Sequence, residues 1–155
     1  MANPNNKHSF NLEGNMAGGN AFITKGFLVA SQTKLSVGDP LVFVSGKVKL
    51  AGITSTALFG VCMSALTSQA GIKSVLVAPA LPEYLFSAQV GSTVNITAGL
   101  FPKKWGIAGT TSGKIVLSTT ATTSVINAIG IKPLSAAGTY AEVLFVINKS
   151  SYIGR

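Results

Sequence analysis

Few residues of this sequence are of types that could carry out catalysis or bind a metal ion. There is one histidine, His8, and one cysteine, Cys62. A Ser-His-Asp or Cys-His catalytic site needs a histidine held by a folded domain, and His8 lies in a polar N-terminal segment. A structural zinc site needs four ligands, mostly Cys and His. The sequence therefore predicts no enzyme, no cofactor and no metal site.

The four acidic residues are Glu13, Asp39, Glu83 and Glu142. A glycosidase would need two of these carboxylates to converge in a cleft. Asp39 precedes a proline, which favours a role in forming a turn, and Glu83 also lies near a proline-containing turn. Glu142 alternates with apolar residues, which predicts a solvent-facing position on a strand. Their spacing thus favours structural roles.

One aromatic and basic patch could bind a partner. The run Leu100–Gly106 holds the only tryptophan, Trp105, next to the doublet Lys103 and Lys104. In one interpretation Trp105 anchors an interface and the lysines attract an acidic partner. In the other, Trp105 closes one end of a β-barrel and the lysines are solvated. The sequence leaves both open.

The net charge is +8, from 12 Lys and Arg against 4 acids, although only 10% of the residues are charged, where about 25% is usual. The lysines are spread along the chain and the single arginine is Arg155. Because base and phosphate readout favours Arg, this distribution predicts attraction to an acidic surface and no specific nucleic-acid partner.

Cys62 lies in an apolar run and is predicted to be a buried, inert thiol, which favours an intracellular origin. The N-terminus has no apolar signal region. No apolar stretch approaches the length of about 18 residues that a membrane helix needs, so we expect no membrane partner.

Residues 1–20 are rich in Asn and Gly, and we expect them to form an extended N-terminal arm that frays or orders against a neighbour. Phe10 and Leu12 alternate, so the arm could add as a strand to the edge of a partner's sheet. We therefore treat these two residues, with Lys103, Lys104 and Trp105, as candidate contacts to a partner or to another subunit.

Residues 21–155 are predicted to form a single β domain. Short apolar runs alternate with turn signals every 8 to 12 residues or so, as in barrels and sandwiches. The stretch Val42–Leu50 resembles a hairpin, because Lys47 and Lys49 alternate with Val48 and Leu50. The fold class is therefore all-β, a compact β-barrel or β-sandwich of short antiparallel strands.

Several segments resemble the small β-barrel head decoration (cement) proteins of tailed phages. These are Leu35–Val42 with its Val-Gly-Asp-Pro step, Ser45–Val48, the Ala-Leu-Phe-Gly-Val-Cys-Met-Ser strand within Ile53–Ser64, Ile72–Ala78, and Phe86–Leu100 with Gly91–Thr97. The resemblance is one of pattern over about two-thirds of the chain.

The resemblance implies a non-enzymatic virion protein, made in the host cytoplasm, on the exterior of an assembled phage capsid. It would stabilise the shell at junctions between major capsid protein subunits and would self-associate as a homotrimer or homodimer. The high positive charge departs from many proteins of this kind and implies an acidic capsid exterior. The alternatives are another virion component, such as a head fibre base, tail tube or minor capsid protein, and a basic β-barrel that binds nucleic acid or carbohydrate.

Overall fold

The computed structural model of the chain describes residues 3, 9–16, 18, 23–30, 34–67, 73–91 and 94–150. The predicted all-β fold is confirmed. The described residues form one 3₁₀ turn, Ala98–Leu100, and eleven strands: β1 (Asn11–Asn15), β2 (Lys25–Leu28), β3 (Pro40–Val44), β4 (Lys47–Leu50), β5 (Gly60–Cys62), β6 (Ser74–Pro79), β7 (Tyr84–Gln89), β8 (Lys103–Ala108), β9 (Val116–Ser118), β10 (Ile126–Ile131) and β11 (Glu142–Ile147).

The strands form two antiparallel sheets. One has the order β2-β6-β5-β3-β4 and the other has the order β1-β7-β11-β10-β8-β9. Within each sheet, most strands that follow one another in the sequence are neighbours or lie one strand apart.

The hairpin predicted at Val42–Leu50 is confirmed as β3 and β4. Its two turn residues, Ser45 and Gly46, have φ angles of 51° and 78°, as a type I′ turn requires. Val48 is fully buried, whereas Lys47 and Lys49 are exposed. The alternation seen in the sequence therefore places one face of β4 in the core and the other in solvent.

In each sheet, a run of five strands curls until its first and last strands meet. In the five-stranded sheet, Val29, directly after β2, forms a parallel bridge with Val48 of β4. In the other sheet, Val90, directly after β7, forms a parallel bridge with Leu117 of β9. Five strands that pair antiparallel in series leave the first and last strands parallel, so both bridges close small, partly open barrels.

The two barrels are structural repeats of one another. We call β2–β6 the first unit and β7–β11 the second unit. Numbered within its unit, each has the strand order 1-5-4-2-3. The register also agrees. When Val75 is aligned with Val143, the strand pairings make Val29 equivalent to Val90 and Val48 equivalent to Leu117. These four residues form the two closing bridges.

Equivalent positions fill the two cores. The first unit buries eight apolar residues in a core that belongs to it alone: Val29, Leu35, Leu41, Val48, Phe59, Cys62, Val75 and Val77. Their counterparts all lie in the core of the second unit: Val90, Ile96, Trp105, Leu117, Val125, Ala128, Val143 and Phe145. Each fully buried large apolar side chain contributes about 1.5–3 kcal/mol relative to an exposed one.

The second core also takes residues from outside its unit. Ala51, Leu58, Val61 and Ala80 of the first unit and its flanks lie in it, together with Phe10. The first unit therefore serves as one wall of the second, and the two units share a continuous packing interface.

The described part of the predicted N-terminal arm packs on its own chain. β1 pairs antiparallel with β7, and the Phe10 ring lies 4.7 Å from the Phe145 ring in an edge-to-face contact. The Asn3 side chain donates to the carbonyl oxygen of Ala136 at 2.7 Å. For these residues this chain itself offers a sheet edge and a core site. The remaining residues of 1–20 lie outside the described residues, except Ser9, Met16 and Gly18.

Candidate functional site

Two of the five predicted contact residues pack against the core of this chain. Phe10 is 1% exposed, and Leu12 packs against the core of the second unit while pairing with Phe86. Both side chains are used inside this chain. Their role as contacts to a capsid or a neighbour stays a prediction, and a partner would reach the Phe10 ring only if β1 left its place.

Trp105 is also buried, with 1% of its surface exposed. It occupies the position equivalent to Leu41 of the first unit, and its ring lies 5.5 Å from that of Phe101. This burial favours the interpretation in which Trp105 closes one end of a barrel, and its role as an interface contact stays a prediction. Its Nε1 has no hydrogen-bond acceptor among the described residues.

Lys103 and Lys104 are both exposed on β8. They border an open depression of about 450 Å³, which Pro102, Asn127, Ala128 and Ile129 also line. Ile129 is 42% exposed. The depression thus combines two ammonium groups with an apolar floor, which suits an acidic partner that also carries apolar side chains.

A buried carboxylate holds three segments of the chain together. Asp39 is 0% exposed. Its Oδ1 accepts hydrogen bonds from the Ser9 hydroxyl at 3.0 Å and from the Gly113 amide at 2.7 Å. Its Oδ2 accepts from the Ser36 amide at 2.8 Å and from the Ser112 hydroxyl at 2.6 Å. Four donors satisfy the charge, as burial of a carboxylate requires.

The Asp39 network connects parts that are far apart in the sequence. Ser9 precedes β1, Ser36 lies in the loop before β3, and Ser112 and Gly113 lie in the loop between β8 and β9. The turn predicted around Asp39 is present, because its amide donates to the carbonyl of Ser36 at 3.1 Å. The sequence showed only that turn, since nothing in the local pattern indicates donors more than 70 residues away.

Two of the other acids converge on one lysine. Lys132 Nζ lies 2.7 Å from Glu13 Oε1 and 3.3 Å from Glu142 Oε1. The buried Ser87 donates to Glu13 Oε1 at 2.6 Å. Burial lowers the pKa of Lys132, but the hydrogen bonds to Glu13 and Glu142 outweigh it, so the pKa is raised. The predicted solvent-facing position of Glu142 is therefore only partly right: it is half-buried and paired.

Cys62 is buried, as predicted. Burial raises the pKa of its thiol to about 11; a backbone hydrogen bond with Ser64 acts in the opposite direction, and the charge of Asp39 raises the pKa further. Sγ also donates to the Ser64 carbonyl oxygen at 3.0 Å. A thiol with so high a pKa is a poor nucleophile at neutral pH. Cys62 therefore acts as a core residue, equivalent in position to Ala128 of the second unit.

Within the ranges that the structure describes, no group of three or more His, Cys, Asp or Glu side chains is placed to hold a metal ion. His8 lies outside those ranges. No helix of the described residues has the length and apolar character needed to cross a membrane. Comparison with family models, with curated proteins and with solved structures gave no match to this chain.

Proposed function

We propose that this chain is a non-enzymatic virion structural protein that binds the outer surface of an assembled phage capsid. It would stabilise the shell at junctions between major capsid protein subunits, and would do so as a homotrimer or homodimer. The proposal builds on the resemblance of its strand segments to phage decoration proteins and on the surface chemistry of the folded chain.

The observation that carries the proposal is the separation of acidic and basic groups. Asp39 is fully buried, and Glu13 and Glu142 are tied to Lys132. Three of the four acidic side chains are therefore buried or paired with Lys132 within the fold. The exposed lysines among the described residues are Lys25, Lys34, Lys47, Lys49, Lys103, Lys104, Lys114 and Lys149.

A surface with this charge is attracted to an acidic one, and the attraction extends over about 10 Å at 0.1 M salt. An apolar side chain lies beside these lysines: Ile129, next to Lys104, is 42% exposed. Electrostatic attraction would orient the protein on the shell, and apolar contact would hold it there. Self-association would multiply a modest affinity per copy.

The depression beside Lys103 and Lys104 is the contact that we assign to the capsid. The test is co-sedimentation of the purified full chain with empty capsids of the phage that encodes it. We expect the double variant Lys103→Glu, Lys104→Glu to bind at least about tenfold more weakly, since each reversed charge faces an acidic surface.

The matched control is Lys47→Glu with Lys49→Glu, which changes the net charge by the same amount on an exposed strand of the first unit. We expect it to retain most of the binding. Equal loss in both variants would mean that only the overall charge matters and that the depression is not the contact. Absence of binding by the unaltered chain would refute the capsid function.

The exposed lysines also favour the alternative of a basic β-barrel that binds nucleic acid. Such proteins stack bases on several exposed aromatic rings, whereas Trp105 is buried and Phe43, 41% exposed, is the one aromatic ring among the exposed large apolar residues that the structure describes. Binding to duplex or single-stranded DNA with a steep salt dependence would support this alternative. Weak binding that is lost by 0.15 M salt would be the nonspecific attraction expected of any protein with this charge.

A further inference from the structure

The two repeated units differ at the free edge of their first strand. In the second unit, β1 covers this edge of β7, with Asn11 paired to Ser87 and Asn15 to Tyr84. The equivalent stretch of the first unit is residues 23–26, at the start of β2. No described residue pairs with it on that side, and all four residues are exposed.

The backbone groups at this edge point outward. The Val29 amide donates to Lys73 beside β6, whereas the next amide, that of Ala30, donates across to Val48. Since direction alternates along a strand, the N–H and C=O groups of Thr24 and Gly26 face away from β6, toward the open edge. Their equivalents in the second unit, Leu85 and Ser87, are residues that pair with β1.

The outer face beside this edge also differs between the units. Ser87 and Gln89 are 0% and 6% exposed in the second unit. Their counterparts in the first unit are Gly26, which is exposed, and Leu28, which is 45% exposed. Leu76, next to them on β6, is 48% exposed. A surface that is covered in one unit is thus bare and apolar in the other.

We propose that the β2 edge of the first unit binds an extended segment of a partner protein, which adds as an antiparallel strand in the way that β1 adds to β7. Backbone hydrogen bonds to Thr24 and Gly26 would give affinity, and alternate side chains would give specificity. The inference deepens the proposed function. It rests on that function only in identifying the partner as the capsid protein, which would supply the segment.

The edge also indicates the chemistry of the segment. Lys25 takes the position of Phe86, which lies opposite Leu12 of β1. The residue of the bound segment opposite Lys25 would therefore be acidic. Its two neighbours would point to the other face and be apolar, and the one opposite Gly26 would contact Leu28 and Leu76. Edge pairing of two copies through β2 would instead bring like charges of Lys25 together.

The probe is a fluorescein-labelled peptide, Ser-Thr-Leu-Glu-Leu-Thr-Ser, titrated with the full chain and followed by fluorescence anisotropy. The decisive variant is Gly26→Pro, which removes an amide at the open edge without removing a bond to β6. Its matched control is Gly26→Ala, whose Cβ would have nothing within 4 Å.

We expect the unaltered chain and Gly26→Ala to bind alike, and Gly26→Pro to bind at least about tenfold more weakly. A peptide with Lys in place of Glu should bind more weakly to the unaltered chain, and Lys25→Glu should reverse that preference. Amide exchange at Thr24 and Gly26 of the unaltered chain should slow when the Glu peptide is added. No binding, or equal binding to the Pro and Ala variants, would overturn the inference.

Co-sedimentation with empty capsids separates this inference from the proposed function. If the unaltered chain binds capsids and Gly26→Pro binds equally well, the edge is not the contact and the capsid function stands. If the unaltered chain does not bind capsids, the capsid function fails, and the peptide titration alone decides whether the edge accepts a strand.

Discussion

Replacing Asp39 by alanine should destabilise the chain by about 2–6 kcal/mol. The carboxylate accepts four hydrogen bonds and is fully buried. In the variant the two hydroxyl donors can rotate toward other acceptors, but the amides of Ser36 and Gly113 cannot. Each buried group left without a partner costs about 1–3 kcal/mol, and there are two. The total stability of a domain is about 5–15 kcal/mol, so the loss is a large share of it.

The assay is urea unfolding followed by circular dichroism. With a denaturant slope of about 2 kcal/mol per molar, a loss of about 4 kcal/mol lowers the midpoint by about 2 M. Asp39→Asn keeps one acceptor and turns the other atom into a donor that faces an N–H group, so we expect about half the effect. Glu83→Ala removes the same charge from a half-buried turn residue and should change stability by less than about 0.5 kcal/mol.

A loss of less than about 1 kcal/mol in Asp39→Ala would refute the reasoning, because it would mean that the four contacts do not carry the net stabilisation assigned to them. A double-mutant cycle with Ser112→Ala supplies a second measurement. The coupling energy should be about 0.5–3 kcal/mol, as for residues in one buried network.

Two further predictions concern the first unit. Cys62 should react with a disulfide reagent at pH 8 at least about 100-fold more slowly in the folded chain than in urea, because a pKa of about 11 leaves little thiolate. Since the folded pKa is raised, the stability that the neutral thiol contributes is complete below the unfolded pKa and is lost as the pH rises toward 11. Fast labelling of the folded chain would show instead that the thiol is accessible. Gly60→Ala should destabilise by about 1–3 kcal/mol or more, because its Cβ would collide with the Ala78 carbonyl oxygen and lie 2.6 Å from Val77 Cγ1. Gly52→Ala, with nothing within 4 Å, should be tolerated in the same unfolding assay.

The sequence predicted the features that depend on local pattern. The alternation in Lys47–Leu50 and the Ser-Gly turn before it predict a hairpin with one solvent-facing side, and the structure contains this hairpin. Burial of Cys62 followed from its apolar neighbours. The patch at Trp105 was ambiguous, because a bulky aromatic residue beside two lysines fits both a barrel interior and an interface.

The repeat could not be read from the sequence. Among the equivalent residues on paired strands and at the closing bridges, the two units share only Val29 with Val90, Val75 with Val143 and Leu76 with Leu144. Core positions accept any apolar residue of suitable volume, so Leu41 and Trp105 can occupy the same place. The placement of Phe10 was missed for a related reason, since a polar segment gives no sign of the core that will accept its one ring.

The first core uses residues of its own unit alone, whereas the second core also uses residues of the first unit, and this difference predicts an order of events during synthesis. All the residues that fill the first core lie between β2 and β6, so that barrel can close as soon as β6 has left the ribosome. The second core needs the first barrel as a wall. The N-terminal strand stays without its partner for the longest time, because β1 is made first and its partner β7 begins only at Tyr84. Over that interval its edge and Phe10 are unoccupied, and a nascent neighbour on the same message could take the place of β7.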